Sequence, residues 1–470
     1  GFIFDGWKGS LPSGDQRPNN TSERNNGLQY MWNSAQYYTH EGPNNRIQAF
    51  GGCAVNTISS GKITTTSNQQ LIKTAIDPCK FEDGKVREDL YAPVFQGGTL
   101  KTVVDVEGQA SNTNLDIPFW VGVEGGIVDN NGIATTFNGQ FSDVLLAAFS
   151  GSGALNFQGS GITVLAADNS YTGETNILEG TLRVTGSLSD ATAVSVAEDA
   201  TYEVANSDAV GSIAGAGSIV IEKDQTLTAG GLDTNTTVSG VISGDGGFTK
   251  VGDASTTFSG ANSYKGETKI KDGALLLGHL SSIPRRSSTL VTGAGRLDLL
   301  SGPPGRGEFE IDRLSIKEGG RVFVSPDQPL VSKAIILDAY SLEDPQPGGI
   351  MTSLDGKKNP PLRVSDSFDY ESGSLVVGVP DSDDPEGVWE IIDGEVKNID
   401  DLAENTYIVL GPDQSYSFDG IGEKNAIDGP ALYRGYLAEG SLDLVIEEKK
   451  GIDLICDLHP DLEECKDGPD

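Results

Sequence analysis

The sequence predicts an all-β protein in which short strands coil into a solenoid, and two observations carry that prediction. The first is a repeat, because residues 153–182 and 246–275 align without a gap at a constant offset of 93 residues. The second is composition, because 61 of the 470 residues are glycine and the strong helix formers are diluted by Asn, Thr, Ser and Val. Short alternating strands between Gly, Asn and Asp turns are typical of a chain that stacks on itself.

The two copies of the repeat share strand residues as well as turn residues. Identical pairs include Asn169/Asn262, Ser170/Ser263, Tyr171/Tyr264, Gly173/Gly266, Glu174/Glu267, Thr175/Thr268, Ile177/Ile270, Gly180/Gly273 and Leu182/Leu275. The paired isoleucines and leucines are expected to point into the core, where a solenoid stacks its aliphatic side chains. The paired asparagines are expected to close a turn, the paired glycines to allow a tight bend and the paired tyrosines to shield a corner. Because an active site is seldom needed twice, the duplication favours a structural role.

The chain is expected to contain four segments, which differ in repeat pattern and in proline and acidic content. These are an irregular N-terminal cap (1–95), a β-solenoid with repeats at 151–182 and 246–275 (96–302), a less regular C-terminal β region (303–450) and an acidic tail (451–470). The cap has two alternative roles. It covers the first coil, whose open edge would otherwise pair with other chains, or it is a binding head. Aromatic residues, which anchor many interfaces, are the candidate contacts of such a head: Trp7, Trp32, Tyr37 and Tyr38.

The charge balance excludes one class of partner. With 33 basic and 68 acidic residues, the formal net charge is −35, whereas a nucleic-acid-binding protein needs a basic surface. Direct adhesion to an anionic membrane is disfavoured for the same reason. Divalent cations, neutral or cationic polysaccharides and other proteins stay open as partners, and solubility is the simplest explanation of the charge.

The four cysteines form two local pairs. Cys53 and Cys79 enclose 25 residues, and Cys456 and Cys465 enclose eight. Neither spacing is that of a redox or zinc site, so two disulfides in an oxidising compartment are predicted, with buried free thiols as the alternative. No apolar run is long enough for a transmembrane helix. The chain begins at Gly1 without an apolar leader, which is expected of a processed polypeptide.

The repeat resembles a known family. The segments SGVISGDGGFTKVGDASTTFSGANSYKGETKIKDGALLLG and LAADNSYTGETNILEGTLRVTGSL are similar to the autotransporter-associated β-strand repeat of passenger domains in type V secretion. Lys265 and Glu267 depart from the Thr and Gly usual in that pattern. The resemblance implies a right-handed parallel β-helix that lies outside the cell or on the bacterial outer surface. It does not imply one activity, because passengers include adhesins, self-associating proteins, proteases and lipases.

Catalytic motifs are missing from the sequence. It contains no GxSxG elbow, and its three histidines, His40, His279 and His459, lie far apart. We therefore expect no enzyme activity and no cofactor, and a surface adhesin or self-associating stalk that binds itself or other cell-surface proteins or polysaccharides. The alternatives are a subunit of an extracellular filament or surface layer, and a polysaccharide-degrading β-helix whose two acids are not singled out by the sequence.

One acidic cluster is a candidate for a metal. Asp381, Asp383 and Asp384 form the densest group of carboxylates, but the glycine that follows is misplaced for an EF-hand loop. The two alternatives for this segment are therefore weak calcium binding and a solvated acidic loop.

Overall fold

The computed structural model describes part of the chain, and every structural statement below concerns that part. The described residues are 38–41, 46–50, 53–59, 62–65, 94–102, 113–115, 118–143, 152–299, 307–324, 328–340, 348–354, 360–379, 387–410, 433–437 and 442–448. They belong to two compact units, a first unit (Gly1–Gly246) and a second unit (Gly247–Asp470).

The first unit consists of short strands. They are β1 (Tyr38–Glu41), β2 (Arg46–Phe50), β3 (Cys53–Ser59), β4 (Lys62–Thr65), β5 (Val94–Gln96), β6 (Gly98–Thr102), β7 (Thr113–Leu115), β8 (Phe119–Val121), β9 (Gly126–Asp129), β10 (Thr135–Phe137), β11 (Phe141–Asp143), β12 (Leu155–Gln158), β13 (Ile162–Leu165), β14 (Thr175–Ile177), β15 (Gly180–Val184), β16 (Ala193–Val196), β17 (Ala200–Val204), β18 (Asp208–Val210), β19 (Ser212–Gly215), β20 (Ser218–Ile221), β21 (Thr226–Ala229), β22 (Thr236–Val238) and β23 (Ile242–Gly244).

Successive strands of the first unit join different parallel ladders in turn, which is the topology of a solenoid. Ladder 1 runs β4-β6-β9-β12-β14-β16-β19-β22, and ladder 2 runs β7-β10-β13-β15-β17-β20-β23. A third side carries β3-β5-β8-β11 and, separately, β18-β21. Leu155 pairs with Gly126 on one side and with Thr175 on the other, so neighbouring coils contain about 29 and 20 residues.

The start of the described chain differs from the coils that follow. Strand β1 pairs with β4, and β2 pairs with β3, in antiparallel fashion. Strand β4 then pairs with β6, and β3 with β5, in parallel fashion. The described part of the predicted cap is therefore an antiparallel arrangement whose strands lead into the parallel ladders.

The core of the first unit follows the period-two alternation of each strand. On β15 and β17, Leu182 lies beside Tyr202 and Val184 beside Val204, and all four side chains are fully buried. Aromatic rings stack on the third side, where the ring centroids of Phe119 and Phe141 are 5.1 Å apart. Such in-register stacking of apolar side chains over successive coils is the main stabilising contact of a solenoid.

The second unit has longer strands and one helix. Its elements are β24 (Gly247–Lys250), β25 (Ser255–Phe258), β26 (Thr268–Ile270), β27 (Ala274–Leu277), β28 (Ser288–Val291), β29 (Arg296–Asp298), β30 (Phe309–Lys317), β31 (Arg321–Val324), β32 (Leu330–Asp338), β33 (Gly349–Ser353), β34 (Leu362–Ser372), β35 (Ser374–Val379), β36 (Gly387–Glu390), β37 (Ile392–Asp393), β38 (Val396–Lys397), α1 (Ile399–Glu404), β39 (Thr406–Leu410), β40 (Tyr433–Leu437) and β41 (Asp443–Glu448).

Two parallel ladders build the second unit. Ladder 4 runs β25-β27-β29-β31-β33-β35-β39, and ladder 5 runs β24-β26-β28-β30-β32-β34-β37, with β38 also paired to β34. Strands β36, β41 and β40 form a small antiparallel sheet. Parallel pairing therefore continues as far as β39, well into the region for which the sequence predicts less regular structure.

Late in ladder 4, both faces of the sheet are buried. Val322, Ile350 and Leu375 point to one face and are fully buried. The neighbouring positions Phe323, Met351 and Val376 point the other way and form a buried cluster of their own, against which Tyr407 packs. Parallel sheets are commonly covered on both faces.

The fold class is confirmed: the described chain is nearly all β, with parallel ladders and a single short helix. The four segment boundaries and the handedness of the coil stay predictions.

Candidate functional site: repeated corners and outer faces

In the first copy of the repeat, a tyrosine anchors a buried chain of hydroxyl groups. The hydroxyl of Tyr171 lies 2.6 Å from Thr175 Oγ1, which in turn lies 3.0 Å from Thr192 Oγ1. Thr192 donates its hydroxyl proton to the backbone carbonyl of Gly173. Each buried hydroxyl therefore has a partner, as burial of polar groups requires.

The second copy builds the same chain of hydroxyl groups. The hydroxyl of Tyr264 lies 2.6 Å from Thr268 Oγ1, and Thr268 Oγ1 lies 3.3 Å from Ser287 Oγ. Ser287 donates to the carbonyl of Gly266 at 2.6 Å. Burial raises the pKa of both tyrosines far above the ordinary value of 10.0. The duplicated tyrosines are thus neutral core residues and cannot act as acids or bases near neutral pH.

One expectation about the repeat needs correction, and a second is given its physical reason. Tyr171 and Tyr264 lie in the core, because both are fully buried. Gly173 lies at a bend, as expected, but its backbone is not left-handed; an added Cβ there would lie 1.9 Å from the carbonyl oxygen of Gly153, so glycine is needed for close backbone approach. The left-handed positions are instead Gly180, with φ of 70°, and Gly273, with φ of 60°.

The paired asparagines do more than close a turn. Asn169 Nδ2 donates to the carbonyl of Ala167 at 2.8 Å, which is the local bond expected of a turn. The same amide also donates to Ser187 O at 2.9 Å, and its Oδ1 accepts from Phe141 N at 2.9 Å. Asn262 repeats the bond to the following coil by donating to Ser282 O at 2.7 Å. These amides therefore connect neighbouring coils.

One buried carboxylate was not singled out by the sequence. Asp208 begins β18 and accepts hydrogen bonds from Leu188 N at 3.0 Å and from the Tyr202 hydroxyl at 3.0 Å. Burial raises its pKa from 3.8 to about 6, against the lowering effect of these hydrogen bonds, and Asp190 adds a smaller upward shift. In the sequence, Asp208 stands two residues before Val210, and this spacing in a strand is the signal that could have indicated an inward carboxylate.

A buried ammonium group distinguishes the second copy. Lys250 occupies the position that Phe157 occupies in the first copy, and both are almost completely buried. Lys250 Nζ donates to Val251 O at 2.7 Å, to Gly252 O at 2.8 Å and to Asp272 O at 3.3 Å. The carbonyls replace the water that the ammonium loses on burial, so the group is structural.

The outer face of the first unit is polar and acidic. Asn176 Nδ2 donates to Asn156 Oδ1 at 3.1 Å along ladder 1. On ladder 2, Arg183 lies between the carboxylates of Glu203 and Glu222, with 2.6 Å to the latter. From residue 118 to residue 246 the sequence has two basic and fifteen acidic residues. Such a face suits neutral or cationic partners.

The residues predicted to form sites lie mainly outside the described residues. These are Trp7, Trp32 and Tyr37 of the candidate interface, Cys79, Cys456 and Cys465, and Asp381, Asp383 and Asp384. Tyr38 begins β1 and Cys53 begins β3, where the backbone alone is described. The interface, both disulfides and the weak calcium site therefore stay predictions.

His279, in the solenoid, stabilises a turn by local hydrogen bonds. His279 Nδ1 accepts from Ser281 N at 3.0 Å, and His279 N donates to Ser282 Oγ at 3.0 Å. Among the residues that the structure describes, no three His, Cys, Asp or Glu side chains are grouped so as to hold a metal ion. Within the same residues, no helix has the length and apolarity needed to cross a membrane.

Comparison with known proteins points to one family. The family profile described as the passenger-associated-transport-repeat matches residues 158–184 and 248–277, which are the two copies described above. The two matched segments support an autotransporter passenger domain. Over 242 residues it is 31% identical to the "Adhesin BmaC autotransporter" of Brucella suis biovar 1 (strain 1330). The match covers 48% of this chain and 7% of that much longer relative. No solved structure matches the chain.

The same comparisons indicate the compartment. Passenger domains are exported to the outer surface of the bacterium, as the resemblance in the sequence predicted. The two matched segments contain the buried Tyr171 and Tyr264 chains of hydroxyl groups, so the family signature coincides with core structure.

Proposed function

We propose that this passenger is a non-enzymatic surface adhesin, with the solenoid as its stalk. The observation that carries the proposal is the likeness to the Brucella adhesin, which extends beyond the two repeats to 242 aligned residues. A long solenoid also presents extended outer faces, and such surfaces suit binding to macromolecules better than they suit chemistry on small molecules.

The environments of the ionisable groups support a role without catalysis. Burial raises the pKa of Asp208 to about 6, and its carboxylate faces Tyr202 and two backbone N–H groups. Its carboxylate is therefore enclosed by the protein and has no room for a substrate. The Glu203 carboxylate, whose pKa is raised mainly by burial, is engaged by Arg183. Neither group has the free approach that a general acid or base needs.

The test is attachment of beads coated with the purified full chain to host cells. Trp7→Ala with Trp32→Ala should lower the number of attached beads about tenfold or more, because buried aromatic anchors carry much of an interface's free energy. The matched control, Leu178→Ala with Val241→Ala, removes two exposed apolar side chains of the solenoid and should leave attachment unchanged.

Three results would redirect the proposal. Equal attachment by both double variants would remove the cap aromatics from the binding site. Ordered fibres of the purified chain under the electron microscope would favour a filament or surface-layer subunit. Release of new reducing ends from a polysaccharide would favour an enzyme.

A further inference from the structure

Basic residues are concentrated in one part of this acidic chain. From residue 247 to residue 340 the sequence has twelve basic and ten acidic residues, whereas the chain as a whole has a net charge of −35. Six of these cations lie on, or within three residues before, four successive strands of ladder 5. This basic strip consists of Lys265, Lys269, Arg285, Arg286, Arg313 and Lys333.

The register of ladder 5 places the strip on neighbouring coils. Ser287 Oγ bonds to Gly266 O, which sets Arg286 beside Lys265. Ser288 pairs with Arg313, and Arg313 pairs with Ala334, so Lys333 lies on the next strand. Because adjacent strands are about 4.8 Å apart, the cations form a track across the strands of the ladder, and the exposed Glu267 lies on it, level with Ser288 and Arg313.

Two cations of the strip are paired with acids, and two others are exposed without an ion pair. Arg285 lies 2.9 Å from Glu310, and Lys333 lies 2.5 Å from Asp312. Arg286 and Arg313 are exposed and form no ion pair with another described residue. The Arg285 side chain itself is 68% exposed, so its guanidinium can also reach a ligand.

We propose that the basic strip binds a linear acidic polysaccharide, sulfated or carboxylated, which lies along the track across successive strands of ladder 5. The inference rests on the adhesin function proposed above and names the class of partner. Arginine donates two parallel N–H bonds to a carboxylate or sulfate, so Arg286 and Arg313 are suited to acidic groups that recur along one chain.

The charge of the whole molecule favours a thin partner over a second copy. A polysaccharide one chain wide places its acidic groups on the strip and leaves the acidic remainder of the protein at a distance. A second copy would bring another molecule of net charge −35 against this one, and the two would repel. Single-stranded nucleic acid is disfavoured because the strip has no aromatic side chain on which bases could stack.

The experiment measures binding of the purified full chain to immobilised heparin, to hyaluronan and to single-stranded DNA across a series of NaCl concentrations. The strip variant is Lys269→Gln, Arg286→Gln and Arg313→Gln. The matched control is Lys223→Gln, Lys271→Gln and Lys317→Gln, which removes three exposed cations outside the strip. Heparin distinguishes sulfate recognition, and hyaluronan distinguishes carboxylate recognition.

The concentration for half-saturation on heparin or hyaluronan should rise about tenfold or more in the strip variant and less than about twofold in the control. Binding should weaken as NaCl rises, because exposed charges are screened. Equal losses in both variants, or equally tight binding of the DNA, would overturn the inference. The inference would also be overturned if sedimentation showed that the wild type is a dimer and that only the strip variant is a monomer. If the wild-type chain binds neither polysaccharide while coated beads still attach to cells, the inference fails and the adhesin function stands.

Discussion

The two copies of the repeat share most of their inward residues and differ more in their exteriors. Each buries a tyrosine whose hydroxyl lies 2.6 Å from a threonine, and each buries the isoleucine and leucine predicted to face the core. Outside, Thr172, Asn176 and Leu178 of the first copy correspond to three lysines, Lys265, Lys269 and Lys271, of the second.

That difference shows which positions specify the fold. Inward positions are restricted because their side chains stack on the same positions of the next coil at close-packed density. Outward positions are free to change, and they decide the charge that a partner meets. Inside, Phe248 and Phe258 replace Leu155 and Leu165, which keeps the positions apolar. Lys250 replaces Phe157 and is the polar exception, tolerated because three carbonyls accept hydrogen bonds from its ammonium group.

The largest expected loss of stability follows replacement of a core leucine, and it should be similar in the two copies. Leu182→Ala and Leu275→Ala should each lower the free energy of unfolding by about 2–5 kcal/mol, because each leaves a cavity in a fully buried site. Urea denaturation followed by circular dichroism measures the loss. Leu178→Ala, at an exposed position, is the control and should change stability by less than about 0.5 kcal/mol. A small loss in only one copy would mean that the two interiors are not equivalent.

The next effect is a pH dependence of stability that is expected near the first copy only, because the buried carboxylate of Asp208 lies near Tyr171. The electrostatic surroundings of Tyr171 include Asp208, whereas burial and Thr268 alone shift the pKa of Tyr264. Since folding raises the pKa of Asp208 from 3.8 to about 6, its protonated form is favoured by the fold. Its contribution to stability is therefore complete below about pH 3.8 and is lost as pH rises through about 6.

Asp208→Asn should remove this pH dependence. The difference in unfolding free energy between variant and wild type should shift in favour of the variant by about 1–3 kcal/mol between pH 4 and pH 8. The comparison cancels the other acids, which titrate in both proteins. The amide oxygen can still accept from Leu188 N, and the amide can donate to Tyr202. A difference that stays constant with pH would show that Asp208 is ionised throughout.

The sequence predicted the interior better than the surface. The gapless repeat correctly placed Ile177, Ile270, Leu182 and Leu275 in the core, because period-two alternation determines burial in a strand. It did not predict that the Asn169 amide connects coils, since those partners are 18 and 28 residues away in the chain. The basic strip was missed for the same reason: its cations become neighbours only through the register of ladder 5.

A smaller effect tests the duplicated hydroxyl chains. Tyr171→Phe and Tyr264→Phe should each lower the free energy of unfolding by about 1 kcal/mol, because one buried hydrogen bond is lost. In both copies the threonine keeps a second hydroxyl partner, Thr192 or Ser287, which limits the loss. Thermal unfolding of the two variants, with Tyr340→Phe as the exposed control, measures it. A loss of several kcal/mol in one copy would break the equivalence of the two networks.

The smallest effect is expected from exchanging the exteriors. Thr172→Lys, Asn176→Lys and Leu178→Lys would give the first copy the outer charges of the second, without touching a fully buried side chain. Because these positions face solvent to a large extent and the surrounding unit is acidic, the added lysines should change stability by no more than about 0.5 kcal/mol. Asn176 also donates to Asn156 in a partly buried bond, and the Thr172 hydroxyl donates to Asp143 in an exposed one; loss of both bonds is included in the estimate. Urea midpoints of the triple variant and wild type provide the measurement, and the reverse exchange at Lys265, Lys269 and Lys271 is the control. A loss of 2 kcal/mol or more would show that outward residues also specify this solenoid, which would contradict the division between a restricted interior and a variable exterior.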